Sequence, residues 1–244
     1  YISGNRCEKP LGLGKEKQLP DLYRFKLDQI RNLSEDCRRL REEKPMRRGT
    51  VGLPLGLNMY ENLFFWVEFF HSLQMNVVIS DLSSRALYAK GQYSVPSDTA
   101  CYPAKLMHGH IENLLDQGVD TIFYPCMSYN FDEQKGDNHF NCPVVAYYPE
   151  LLASNVEKLK SVRYLYPYLN LSAQKTFPKK IWEALRDYYP DLTLKEVKQA
   201  SENAYNRYHA QRMEIKEKGK EALEFAREHG LKTIILCGRP YHVD

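Results

Sequence analysis

This sequence predicts an α/β fold: a parallel, flavodoxin-like (Rossmann-type) three-layer sheet with an N-terminal helical extension and long C-terminal helices. Two observations carry the prediction. Short apolar runs near 50–55, 76–80 and 121–125 alternate with helical stretches, the order that parallel sheets with right-handed crossovers require. Punctuating residues stand at the junctions, with Gly56 and Asn58 after the first run and Pro103 and Gly118 at the two ends of a helix.

The opening twenty residues mix glycine and proline with charges and read as irregular. Asp21 then caps a helix to about Arg41, with Leu22, Phe25, Ile30, Leu33 and Leu40 as its apolar stripe and Cys37 as a packed bystander. Thr50–Leu55 is the first strand. Asn58 suits the N-cap of a helix over Met59–Leu73, which is apolar nearly all round and therefore expected to be buried. Asn76–Ser80 is the second strand, and a short helix over Arg85–Ala89 follows. Pro103 opens a helix to Gln117 with Met107, Ile111, Leu114 and Leu115 facing inward. Thr121–Tyr124 is the third strand and Pro143–Tyr147 the fourth. Lys179–Tyr188 reads as a helix. Thr193 and Glu196 form a capping box for a helical run to His229, with Gly219 as the expected break.

These elements divide into an N-terminal linker and helix (1–48), an α/β lobe (49–160), a helical segment (161–230) and the first strand of a second lobe (231–244). The chain opens on Tyr1 and stops just after the run Lys232–Cys237, so a fragment of a longer protein is expected.

Composition narrows the function. A hydrophobic share of 43% and a charged share of 27% are those of an ordinary globular domain. The net charge of +3 is too small to imply nucleic acid, and Glu42 and Glu43 interrupt the one dense basic stretch, Arg38 to Arg48. No apolar run reaches membrane-spanning length and no signal peptide opens the chain. Six cysteines are too sparse for a secreted disulfide framework, which points to a reducing cytoplasm.

Three of those cysteines carry the chemistry. Cys101, Cys126 and Cys142 each neighbour a predicted element end and a nearby proline, where an open α/β sheet places its ligand-binding edge. Cys101 precedes a helix N-terminus, whose free N–H groups favour a thiolate, the metal-binding form. Cys126 follows the third strand directly. Cys142 precedes the fourth expected strand, which argues for the opposite edge unless the loop from Met127 to Asn141 carries it back. The spacings match no zinc finger or ribbon. Three ligands suit a cubane iron–sulfur cluster with one open corner; buried structural cysteines are the plainer alternative. His139 is a further candidate ligand or proton donor. His108, beside Lys105 and Glu112, reads as solvated, and His110 as packed near the sheet. The glycine-bearing turn at 52–58 lacks both the P-loop lysine and the dinucleotide fingerprint.

The strings YISGNRCE, GLPLGLNMYEN, PSDTACYPAKLMHGH, DTIFYPC, NCPVV and CGRPYHVD resemble the acyl-CoA dehydratase activase-related family, the CoA-substrate-specific enzyme activases of anaerobes. The resemblance implies a region like the first lobe of a 2-hydroxyacyl-CoA dehydratase subunit, where three cysteines hold a [4Fe-4S] cluster between two flavodoxin-like lobes. Cys101 and Cys126 match the first two ligands. Cys142 is the third, unless that ligand comes from the second lobe. The implied partners are ATP-binding activator domains and the second lobe of the same chain, with an acyl-CoA substrate, a dehydratase partner or a homodimer as further candidates. The implied role is electron transfer from an ATP-driven reductase. No residue of the ATP-binding fold is present, and the fragment alone is expected to be inactive. The competing readings are a cluster-free docking or scaffolding domain and a structural zinc site.

Overall fold

Strands β1 (Thr50–Leu53), β2 (Asn76–Ile79), β3 (Thr121–Phe123) and β4 (Arg163–Leu165) form one all-parallel sheet in the order β2-β1-β3-β4. The computed structural model describes residues 19–134, 136–235, 238 and 241. Among these it holds α1 (Leu22–Glu43), α2 (Leu57–Glu61), α3 (Leu63–Ser72), α4 (Arg85–Gly91), α5 (Tyr102–Asp116), α6 (Pro143–Asn155), α7 (Phe177–Leu185) and α8 (Leu194–Glu228). Val51 pairs with Val77, Gly52 with Ile122, and Ile122 with Tyr164. The first three strands are those expected from sequence.

Each strand shows one side chain to each face in turn, and helices cover both. Gly52 faces α5: a Cβ there would meet Leu114 and Val119 at 3.1–3.3 Å, so the missing side chain lets the helix sit close. Phe123 faces the other way, with its ring 4.9 Å from Trp66 and 5.0 Å from Phe70 of α3. Phe65, Phe69, Phe177 and Tyr205 complete that aromatic core. The layers are therefore α4, α5 and α6 on one face, and α3, α7 and the first half of α8 on the other.

The fourth strand and the first helix of the lobe depart from expectation. Pro143–Tyr147 is no strand but the start of α6. Pro143 fits a first helical turn, and Val145, Ala146, Tyr148 and Leu152 are buried at helical spacing. The fourth strand is instead the three-residue β4, of which only Leu165 is fully buried. Asn58 is not the N-cap of one long helix; Gly56 caps the short α2, and Asn62 separates it from α3.

Asp21 caps α1 through Arg24 N–H, as expected (2.9 Å). Thr193 and Glu196 form the expected capping box on α8. Buried Arg48 ties that end down, donating to the Leu73 carbonyl (2.8 Å), Asp191 (3.0 Å) and Glu196 (2.8 Å). Helix α8 runs unbroken through Gly219, about 50 Å at 1.5 Å per residue. Beyond Gln211 it leaves the core and lies along α1, with Gln29 donating to Glu214 (2.7 Å). Residues 231–235 form no strand; Leu236 and Cys237, the rest of the expected strand, lie outside the described residues. No helix among the described residues is long and apolar enough to cross a membrane.

Candidate functional site

The chain enters β1, moves to β2 at one edge, then crosses over β1 to reach β3. The strand order thus reverses between β1 and β3, and the loops that follow them diverge there. That carboxyl-edge crevice is where open α/β sheets bind ligands. Leu57, the first residue of α2 after β1, has φ +49°, a left-handed conformation uncommon outside glycine. Its N–H donates to the Tyr241 carbonyl (2.8 Å).

Cys101 and Cys142 occupy equivalent positions. Each is the N-cap residue of a helix that carries proline in its first turn, α5 and α6 respectively. Both helices descend from the carboxyl edge on the same face of the sheet. They meet where His108, seven residues past Cys101, lies 3.0 Å from the Tyr148 hydroxyl, six residues past Cys142. That bond ties the two capped helices together. Cys101 is exposed and Cys142 half-buried. The loop between Met127 and Asn141 does return Cys142 to the carboxyl edge, as a helix cap rather than a strand neighbour.

Cys126 lies one layer deeper. It extends β3 by a parallel bridge to Tyr168, and its N–H donates to the Pro167 carbonyl (2.9 Å). Its side chain is fully buried against α6, near Glu150 and the Tyr168 hydroxyl. Burial, reinforced by the Glu150 charge, pushes the thiol up to about 11, which opposes the thiolate form. Among the described residues no group of three or more His, Cys, Asp or Glu side chains is gathered to hold a metal ion. As folded, the donor chemistry of Cys101 and Cys142 fits a soft metal centre reached from solvent. Cys126, by contrast, is buried.

His139 lines a separate polar cleft of about 400 Å³ between the β3–α6 loop and α8. Arg212 of α8 crosses it, ion-paired to Glu61 (3.7 Å) and Glu133. Asn130 Nδ2 also donates to Glu61 (3.0 Å), and Tyr241 forms part of the rim.

The histidines at 108 and 110 correct the sequence reading in part. His108 is not solvated but fully buried, between Ser94 (2.7 Å from Nδ1) and Tyr148. Burial lowers its pKa to about 4, although Glu112 pulls the other way. His110 does pack near the sheet, 2.8 Å from Ser80 and 3.1 Å from Ser83. Gly109 between them packs against α4: a Cβ there would lie 2.1 Å from the Leu87 carbonyl oxygen, and one on Gly91 2.2 Å from Gly109 N. The His-Gly-His string is a close helix contact flanked by two buried hydrogen-bond anchors. Sequence reasoning also missed the exposed aromatics Tyr102, Phe140, Tyr147 and Tyr168 near the cysteine caps. Each is unremarkable alone, and only the fold brings them to one edge.

A family model described as CoA enzyme activase uncharacterised domain matches residues 50–244. No curated protein and no solved structure matches this sequence.

Proposed function

Because the chain belongs to the CoA enzyme activase uncharacterised domain family, we propose that it is the cysteine-bearing lobe of an electron-transfer centre serving a 2-hydroxyacyl-CoA dehydratase-type system. One observation carries the reading: Cys101 and Cys142 each cap the N-terminus of a helix, and the His108–Tyr148 bond joins those two helices. These two thiolates would hold a [4Fe-4S] cluster from one side, and its other ligands would come from beyond this lobe. When bound, such a cluster carries one electron at a low potential set by charge and hydrogen bonding around its sulfurs.

The chain's own residues do the positioning. The positive ends of the α5 and α6 dipoles favour negative charge at both caps. Buried His108, neutral and held by Ser94 and Tyr148, locks the two helices so that neither cap drifts. Tyr102, Tyr147 and Tyr168 offer an apolar rim that a partner surface could cover, shielding the caps from water. An ATP-driven reductase would supply the electron, and a dehydratase partner or an acyl-CoA substrate would take it up.

The test is protein purified and reconstituted with iron and sulfide without oxygen. Absorbance at about 400 nm and an iron-to-sulfide ratio near one are expected for a cubane centre. The signal should fall sharply in Cys101→Ser and in Cys142→Ser and persist in Cys126→Ser. Zinc without sulfide would replace this reading with a structural metal site. Reconstituted protein with no cluster would leave the aromatic rim as a docking surface only.

A further inference from the structure

Among the described residues no strand pairs with the outer edge of β2. Asn76 and Ser80 donate their N–H groups to the Gly49 and Leu53 carbonyls on the β1 side (2.8 and 3.1 Å). Alternation along a parallel ladder then turns the N–H and C=O groups of Val77 and Ile79 the opposite way. Neither amide has a hydrogen-bond partner among the described residues, yet the two residues are only 1% and 8% exposed. Buried backbone N–H groups without partners are rare in folded proteins. The free row stops at Asp81, whose N–H donates to Asn113 Oδ1 (2.9 Å).

A cleft of about 370 Å³ runs along this edge. Arg31, Glu35, Arg38 and Arg41 of α1 wall one side, three cations to one carboxylate, and Gln117 beyond α5 lies on the other. Three arginines seven and three residues apart share one helix face. Arg38 is engaged by Glu35 and Glu42, whereas Arg41 has no carboxylate partner among the described residues. The cleft is also polar along its length. The end of α1 that leads into β1 holds Arg38 and Arg41, and Asp81 marks the carboxyl-edge end.

We propose that this cleft is a β-augmentation site. An extended segment of a partner protein, carrying carboxylate side chains, would add to β2 as a fifth strand. Its backbone would pair with Val77 and Ile79, whose amides repeat at about 6.6 Å, the two-residue period of an extended chain. Its acidic side chains would meet Arg38 and Arg41, and the position nearest Asp81 would be neutral or basic. A second copy of this chain is disfavoured as occupant, because pairing the same edge twice brings arginine wall against arginine wall. The arginines also protect the open edge from indiscriminate pairing.

A fluorescent decapeptide of alternating valine and glutamate is the probe, beside its valine–lysine counterpart and a version N-methylated at alternate amides. Saturable binding of the glutamate peptide is expected, with amide exchange at Val77 and Ile79 slowed at least tenfold. The surface double variant Arg38→Glu/Arg41→Glu should weaken that binding at least tenfold and admit the lysine peptide instead, with an unchanged circular dichroism spectrum. Equal binding of the N-methylated peptide, or unaltered exchange at the two amides, overturns the proposal. Protection that rises with protein concentration alone also overturns it, because a second copy would then be the occupant.

Discussion

His108 Nε2 and the Tyr148 hydroxyl lie 3.0 Å apart across the contact between α5 and α6. The bond joins two buried polar groups, and it links two helices whose N-caps are Cys101 and Cys142. Removing it should affect stability and site geometry together. Tyr148→Phe strands one imidazole nitrogen in an apolar interior, and an unpaired buried group costs about 1–3 kcal/mol. A loss of that size in urea denaturation is expected. A change within error would mean that the two helices are held by apolar packing alone.

The same histidine makes stability depend on pH. The folded protein holds His108 neutral, with a pKa lowered to about 4 by burial, while the unfolded chain takes up a proton near the ordinary histidine value of 6.5. Between those values the unfolded state binds more protons, so stability falls as pH drops from 6.5 towards 4 and is unaffected above. The whole shift corresponds to roughly 3 kcal/mol at most. Glu196 adds a second, lower window. Its carboxyl is depressed to about 2, chiefly by the Thr193 backbone N–H and then by Arg48, so its contribution is present above pH 4.5 and lost as pH falls towards 2. His71, also lowered by burial, shares the upper window. The measurement is therefore the difference between wild type and His108→Gln in urea titrations at several pH values. That difference should shrink with acidification, and a constant difference would contradict the buried neutral imidazole.

Two glycines in helices should respond in opposite directions to alanine. At Gly109 the new Cβ would strike the Leu87 carbonyl, which is backbone and cannot swing away. Helix α4 must then retreat, and a loss of about 1–3 kcal/mol is expected from overpacking. At Gly219 the nearest atom is Leu22 Cδ2 at 3.7 Å, an ordinary contact. Gly219→Ala should stabilise α8 by about 1 kcal/mol through helix propensity. Thermal denaturation of the two variants side by side checks both signs.

The first three strands and most of the helices were legible because each pairs a continuous apolar pattern with punctuation: Gly118 before β3, Asp21 before α1, Thr193 before α8. The fourth strand was not. Arg163–Leu165 is a short strand at the sheet's margin with little apolar signal, while Val144 and Val145 lend strand character to what is a helix. Pro143 was the decisive residue there, since it suits a first helical turn far better than a strand paired within a sheet. For the site, the sequence singled out the right residue types but not their depth. Lys105 and Glu112 made the helix face of His108 look solvated, although Ser94 and Tyr148, distant in sequence, close over it. In sequence Cys126 follows one expected strand and Cys142 precedes another, which says nothing of depth. Only the pairing of β3 with β4 shows that one is interior and the other a helix cap.

That difference in depth can be read by thiol chemistry without any metal. Cys101 is exposed and Cys142 half-buried, whereas Cys126 and Cys37 are buried, with their thiols pushed up to about 11 and about 12. Each unit of upward shift removes about tenfold of the reactive thiolate at a fixed pH below the pKa. Cys126 should thus react roughly a hundredfold more slowly with iodoacetamide than an unperturbed thiol, before steric exclusion slows it further. Peptide mapping by mass spectrometry after timed alkylation separates the positions, including Cys7 and Cys237, which lie outside the described residues. The expected order is Cys101 first and Cys142 next, with Cys126 and Cys37 labelled only when denaturant opens the fold. Tyr148→Phe should leave Cys101 fast, because its exposure does not depend on the buried bond. Rapid labelling of Cys126 in the native protein would mean that its loop opens readily, and the case for Cys101 and Cys142 as the accessible pair would lose its basis.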